Sequence, residues 1–375
     1  MTVFFTADHF QSIITLLVTI LCAFLISFTT TPIARVLAFK VGAVDVPKDS
    51  RRMHTKPIPR MGGLAIFLGF SITVTVFLAP TKEIIGMLIG ALILVIVGIF
   101  DDIYSLPALL KLFLQIFSST VAVLMGNIIT GVTVFGKYID LGIAAIPLSV
   151  LWITALINAV NLIDGLDGLS CGVSAISSVA LLFSAFFLPE PSFAIILIIA
   201  SLAGSCIGFL PFNFNPASIF MGDTGAMFLG YSLAIISIQG FFKIDALLSF
   251  WIPFLAFALP LFDTSFAFAR RILHGKSPFS ADRGHIHHKL IDMGFTQKQS
   301  VMILYSICGI LAVASVLFAM DKPVEGIGIM IVALIIYILN WFFVNKNAKT
   351  REHMGMGLEN TEIKLNPQST DKENN

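Results

Sequence analysis

Charge is scarce in this chain. Only 12% of its 375 residues are Asp, Glu, Lys or Arg, about half the share of an ordinary soluble domain. With 57% hydrophobic residues and a mean hydropathy of +0.94, that scarcity excludes a soluble globular protein. It points to a helical chain that crosses a bilayer many times. The net charge is +1, so there is no basic excess to suit nucleic acid. Cysteine is also sparse. Cys22, Cys171, Cys206 and Cys308 are scattered through apolar runs with no Cys-x-x-Cys pair, as expected of small buried residues rather than a disulfide or a metal set. No basic segment precedes the first apolar run, so that run is expected to persist as a helix instead of being cleaved as a signal. No internal repeat is visible.

Apolar runs long enough to span a bilayer cover 11–30, 62–80, 84–100, 107–126, 144–162, 171–188, 192–210, 225–241, 246–268, 301–319 and 325–343. The expected fold is all-α: a polytopic membrane protein of about eleven helices. Gly86 and Gly90 make a Gly-x-x-x-Gly, a common and weak sign of helix packing. Basic residues cluster in the loop after the first run (Arg35 to Arg60), between the ninth and tenth (Arg270 to Lys289) and in the tail (Lys346, Lys349, Arg351). Eleven crossings with those clusters inside put the N-terminus outside and the C-terminus in the cytoplasm. Residues 1–344 read as one integral-membrane domain. Residues 345–375 read as a polar, disordered cytoplasmic tail.

Four polar motifs then fall on the cytoplasmic side. Asn158-Ala-Val-Asn-Leu-Ile-Asp-Gly-Leu-Asp-Gly168 offers two amides, Asn158 and Asn161, and two carboxylates, Asp164 and Asp167. Three-residue spacing sets each pair on one face if the turn is helical. Amides, carboxylates and glycines at a membrane edge suit a cation and phosphates. Asp101-Asp102 closes the third run. Carboxylates at a helix C-terminus oppose its dipole and need a partner, for which Lys111 is placed. Asp223, in Phe-Met-Gly-Asp-Thr-Gly after Asn213, reads equally as a helix N-cap and as a cation ligand. His285, His287 and His288 follow Arg283; phosphate contact suits them better than zinc, because every cysteine lies in an apolar run. Asp263, within the ninth run, is an ionisable group inside a span: a functional residue or half of an ion pair.

Together these motifs resemble the polyprenyl-phosphate N-acetylhexosamine-1-phosphate transferases across roughly residues 40 to 290. Arg-Met-His-Thr-Lys-Pro-Ile-Pro-Arg-Met-Gly-Gly and His-Ile-His-His are closer to the N-acetylglucosamine branch than to the pentapeptide translocases, which carry three consecutive histidines followed by an acid. The resemblance implies transfer of a sugar-1-phosphate from a UDP-N-acetylhexosamine to undecaprenyl phosphate, releasing UMP at the cytoplasmic face of a bacterial plasma membrane. The product would begin an envelope glycan such as wall teichoic acid. Mg²⁺ is the implied cofactor, with Mn²⁺ an alternative, and a homodimer the implied assembly. Carried over by motif position, Asp223 and then Asn161 are metal ligands, and Asp101 or Asp102 the base. Lys111, Arg283, His285 and His287 clamp phosphate. Asn158, Asp164, Asp167, Asn213 and His288 contact the donor. Direct attack and an aspartyl-phosphate route both stay open. The rival classes are a secondary transporter, which would place its acids near the midplane, and a non-catalytic scaffold.

Overall fold

The computed structural model describes residues 7–47, 56–134, 137–189, 192–242, 251–274 and 285–336. Arg283 and the tail from 345 lie outside the described residues. The helices are α1 (Ala7–Val41), α2 (Gly63–Phe77), α3 (Lys82–Tyr104), α4 (Ala108–Leu124), α5 (Ala145–Ile163) and α6 (Leu169–Ala185). They continue with α7 (Phe193–Asn213), α8 (Gly222–Ser237), α9 (Trp251–Ala256), α10 (Ala258–Leu273), α11 (Ile286–Asp292), α12 (Gln297–Ala319) and α13 (Pro323–Ile336). Among the described residues six helical segments are long and apolar enough to cross a membrane. The protein is therefore an all-α polytopic membrane protein. Packing unites the described residues up to Ile327 in one compact unit, with Gly328 onward a separate one.

Three details depart from the hydropathy pattern. Two short antiparallel pairs occur, β1 (Val44–Asp45) with β2 (Ile58–Pro59) and β3 (Gly131–Val134) with β4 (Lys137–Asp140). α1 runs on past Pro32 to Val41. The hydroxyls of Thr29, Thr30 and Thr31 donate back to the Leu25, Ile26 and Ser27 carbonyls in the turn before that proline. The run expected unbroken over 246–268 is divided at Phe257 into α9 and α10. Pro260 has no N–H for the Ala256 carbonyl, and the Ser177 hydroxyl of α6 donates to that carbonyl instead, at 2.6 Å.

The centre of the bundle is α8, packed against α2, α3 and α5 and buried from Thr224 to Ser237. Lipid gives helices no hydrophobic reason to associate, so close backbone approach must hold them. A Cβ on Gly63 of α2 would lie 2.0 Å from the Gly225 nitrogen. One on Gly98 of α3 would lie 2.3 Å from the Thr224 Cα, and one on Gly230 of α8 would lie 2.6 Å from the Ile157 Cα of α5. Gly86 and Gly90 do form a packing face, since Tyr231 of α8 fills the space over Gly90 and donates to the Gly86 carbonyl at 3.3 Å. Three of the four free cysteines are buried.

Candidate active site

The two acids that close α3 have different partners. Asp101 accepts the Leu106 N–H at 2.7 Å and the Lys111 ammonium at 2.7 Å. The partner expected for a carboxylate at a helix C-terminus is thus Lys111, in the first turn of α4. Asp102 points the other way, at the start of α8. It accepts the Asp223 N–H at 2.9 Å, the Thr224 N–H at 3.2 Å and the Thr224 hydroxyl at 2.7 Å. Gly222 makes room for it, with φ +73° and no Cβ; a methyl there would lie 2.4 Å from Asp102 Oδ2.

This corrects the reading of Asp223 as an N-cap. The first amides of α8 are capped by Asp102 from another helix, and Asp223 sits inside α8. Its side chain is therefore relieved of capping. It is 20% exposed, with the Lys111 ammonium 3.6 Å away. Lys111 thus spans Asp101 of α3 and Asp223 of α8, two acids on one cation.

The Asn158–Gly168 stretch does not stay helical. α5 ends at Ile163, Asp164 is its C-cap, and Gly168 takes φ +77° to open α6. Asp164 and Asp167 therefore share a turn and not a helix face, which corrects that expectation, yet both line one cleft. Asp167 accepts the Asn215 amide at 2.9 Å and the Ala217 N–H at 3.0 Å. Asn213, buried, donates to the Ile219 carbonyl at 3.1 Å and shapes the same loop. Asn158 is turned inward, donating to Gln115 of α4 at 2.8 Å, and does not line the cleft. Asn161 lies in the last turn of α5, its carbonyl bonded by the Asp164 N–H.

The cleft holds about 660 Å³, ample for a small-molecule ligand. Arg60, Asp164, Asp167, Gly222 and His288 are on its walls. Arg60 was not singled out in sequence beyond its basic loop. Backbone hydrogen bonds place it: Phe220 N–H to the Pro59 carbonyl at 2.8 Å, and Gly62 and Gly63 N–H to the Phe220 and Met221 carbonyls at 2.9 Å. Its buried Nε has no hydrogen-bond partner among the described residues. The signal was Pro-Arg-Met-Gly-Gly, where two glycines allow one backbone to run against another. Gln115 was also missed, although it is a polar residue in an apolar run one helical turn beyond Lys111.

His285 is the N-cap of a short helix, α11, and His287 and His288 lie in its first turn. His288 faces the cleft. His287 is buried with its Nε2 against Gly165, where a Cβ would lie 2.4 Å away. Burial, with His288 and then His285 beside it, pushes His287 down to about 4, so it is neutral at pH 7 and braces the turn. His285 is buried against Asp263. Among the described residues no three of His, Cys, Asp or Glu form a preformed metal set. The donors at hand suit a hard cation that takes few protein ligands and fills its shell with phosphate and water, not zinc.

Burial, reinforced by Asp223, Asp102 and Asp167 and opposed by Arg60, pushes Asp164 up to about 8. A carboxyl raised on folding favours the folded state below its unfolded value near 3.8, and that benefit fades as pH rises towards 8. Asp164→Asn, which cannot ionise, should therefore gain on the parent in melting temperature as pH rises from 5 to 8. Parallel pH curves would show that Asp164 is not strained by its charge.

Comparison with known proteins bears on the family. The profile of "Glycosyl transferase family 4" matches residues 84–241. The "Probable undecaprenyl-phosphate N-acetylglucosaminyl 1-phosphate transferase" of Bacillus subtilis (strain 168) is 41% identical over 308 residues, covering 80% of this chain and 85% of that protein. The decaprenyl-phosphate N-acetylglucosaminephosphotransferase of Mycolicibacterium smegmatis is 34% identical, with 85% and 86% covered. The undecaprenyl-phosphate alpha-N-acetylglucosaminyl 1-phosphate transferase of Escherichia coli (strain K12) is 28% identical, with 84% and 86% covered.

Proposed function

The chain belongs to the polyprenyl-phosphate N-acetylhexosamine-1-phosphate transferases of glycosyl transferase family 4 and is a phosphoglycosyl transferase, and from that premise we propose that it moves N-acetylglucosamine-1-phosphate from UDP-N-acetylglucosamine to undecaprenyl phosphate. An oxygen of the lipid phosphate attacks the β-phosphorus of the donor. The bond from that phosphorus to the bridging oxygen breaks, UMP leaves, and a lipid-linked pyrophosphate sugar remains. Relatives named for N-acetylglucosamine and a polyprenyl phosphate support this branch over the pentapeptide translocases. An early step of an envelope glycan such as wall teichoic acid is the corresponding role.

The observation that carries the reading is that Asp101 and Asp223 share Lys111 while Asp102 holds the first amides of α8, next to Gly222 on the cleft wall. Two anionic substrates must meet, so their repulsion has to be cancelled where charge develops. Asp223, with its carboxylate released from capping, is the residue to hold Mg²⁺, with Asn161 second. The ion, when bound, neutralises pyrophosphate charge. Asp101, sharing the Lys111 ammonium with Asp223, is placed to keep the acceptor phosphate ionised. Lys111 and Arg60 face phosphate oxygens. Asp164, Asp167 and His288 meet the donor on the cleft wall. The transporter reading loses ground because these acids sit at helix ends. Eleven crossings, with the basic loops and the cleft in the cytoplasm where UDP-sugars are found, complete the proposal.

Purified protein in lipid nanodiscs should release UMP from UDP-N-acetylglucosamine only with undecaprenyl phosphate and Mg²⁺. Chelation should stop it. UDP-N-acetylmuramoyl-pentapeptide should be a poor donor. Turnover of that donor alone would move the protein to the other branch, and no release from any UDP-N-acetylhexosamine would overturn the proposal.

A further inference from the structure

Asp263 of α10 lies outside the acid cluster and the cleft, and its carboxylate is 5% exposed. Oδ2 is 2.9 Å from the His285 Nδ1, and Oδ1 accepts the Ile286 N–H at 3.0 Å. One carboxylate thus grips both the residue before α11 and the first residue in it. Two residues on, His287 rests on Gly165, between the two acids of the donor-side turn. The His285 and His287 rings lie 5.8 Å apart and 10° from parallel, and the His287 and His288 rings are 4.2 Å apart. A continuous chain of packed groups therefore runs from Asp263 to His288 on the cleft wall. A carboxylate facing Nδ1 also dictates where the imidazole keeps its proton. The N–H must be on Nδ1, and the neutral ring then presents its lone pair at Nε2.

We infer that Asp263 is a positioning residue: it holds His285 with the proton on Nδ1 and so sets the three histidines against the Gly165 turn. The inference rests on the proposed transferase reading for its kinetic consequence, but its proton assignment does not. Asp263→Asn separates the two. The amide oxygen still accepts the Ile286 N–H, while the amide nitrogen donates to Nδ1 and forces the proton onto Nε2.

Nitrogen-15 NMR of histidine-labelled protein, without substrate, should report an Nδ1–H tautomer for His285 in the parent and an Nε2–H tautomer in Asp263→Asn, with His285→Gln locating the resonance. The melting temperature should stay within a few degrees. With the UDP-sugar that the parent turns over, kcat should fall about a hundredfold, as expected of a buried group that orients an imidazole, with KM changed far less. Asp263→Glu should recover part of the rate. Adding Asp263→Asn to His285→Gln should cost nothing more, because the first acts through the second. An unchanged tautomer, an unchanged rate, losses that multiply in the double variant, or a rate lost only together with folding would each overturn the inference. A parent that turns over no UDP-sugar would sink the transferase reading and leave the NMR test standing.

Discussion

Asp223→Asn should lower kcat for UMP release by about a thousandfold, the scale on which a preorganised charge at the reacting phosphates acts, while the protein inserts and melts as the parent does. The reason for that separation is local. The amide that Asp223 contributes to the start of α8 is bonded by Asp102 and depends on no side-chain atom of residue 223. Its carboxylate is partly exposed and, among the described residues, has only the long contact to Lys111 to lose. Asn keeps the shape and discards the charge. Asp102→Asn should behave differently. Its carboxylate accepts three hydrogen bonds from the first residues of α8, and an amide can accept only on one side. Losing bonds to buried donors costs about 1–3 kcal/mol each, so this variant should melt lower as well as turn over slowly. Thermal melting and UMP release measured on both variants give the check. A parent-like rate in Asp223→Asn would remove that residue from the reacting phosphates.

Gly63→Ala should be the most damaging substitution of a residue that touches no substrate. Its Cβ would meet backbone atoms of Gly225, at 2.0 and 2.1 Å, and no flexible side chain is there to yield. Either α2 or α8 must shift, and overpacking of this kind costs roughly 1–3 kcal/mol or more. A shift of α8 also carries Asp223 away from Lys111, so activity should fall with stability. Gly309→Ala on α12 is the control: nothing lies within 4 Å of its added methyl, and an exchange of Gly for Ala in a helix is expected to stabilise by about 0.5–1 kcal/mol. Melting temperatures of the two variants in one detergent decide the matter. Equal melting would mean that the α2–α8 approach is not what holds the centre of the bundle.

Much of this was open to a reader of the sequence. Composition and run length were enough for a polytopic helical membrane protein, because every backbone amide in lipid must be satisfied within its own helix. The partnership of Asp101 with Lys111 was also legible, since a carboxylate at a helix end calls for a cation and only ten residues separate the two. What the sequence left undecided were contacts made across long separations. Asp102 lies 121 residues from the amide it caps, Asp167 48 residues from Asn215, and Asp263 22 residues from His285. Local pattern left Asp223 between cap and ligand, and set Asp164 and Asp167 on one face only if their turn is helical. Only the packing of α3 on α8 handed the cap to Asp102 and freed Asp223. Only the end of α5 at Ile163 turned the two acids into a cleft wall. Hydrophobicity, helix length and near-neighbour charge act along the chain and are written in its order. The assignment of each acid to capping, bracing or chemistry depends on which backbone lies within 3 Å of it, and that is decided when the glycine faces of α2, α3 and α8 close together.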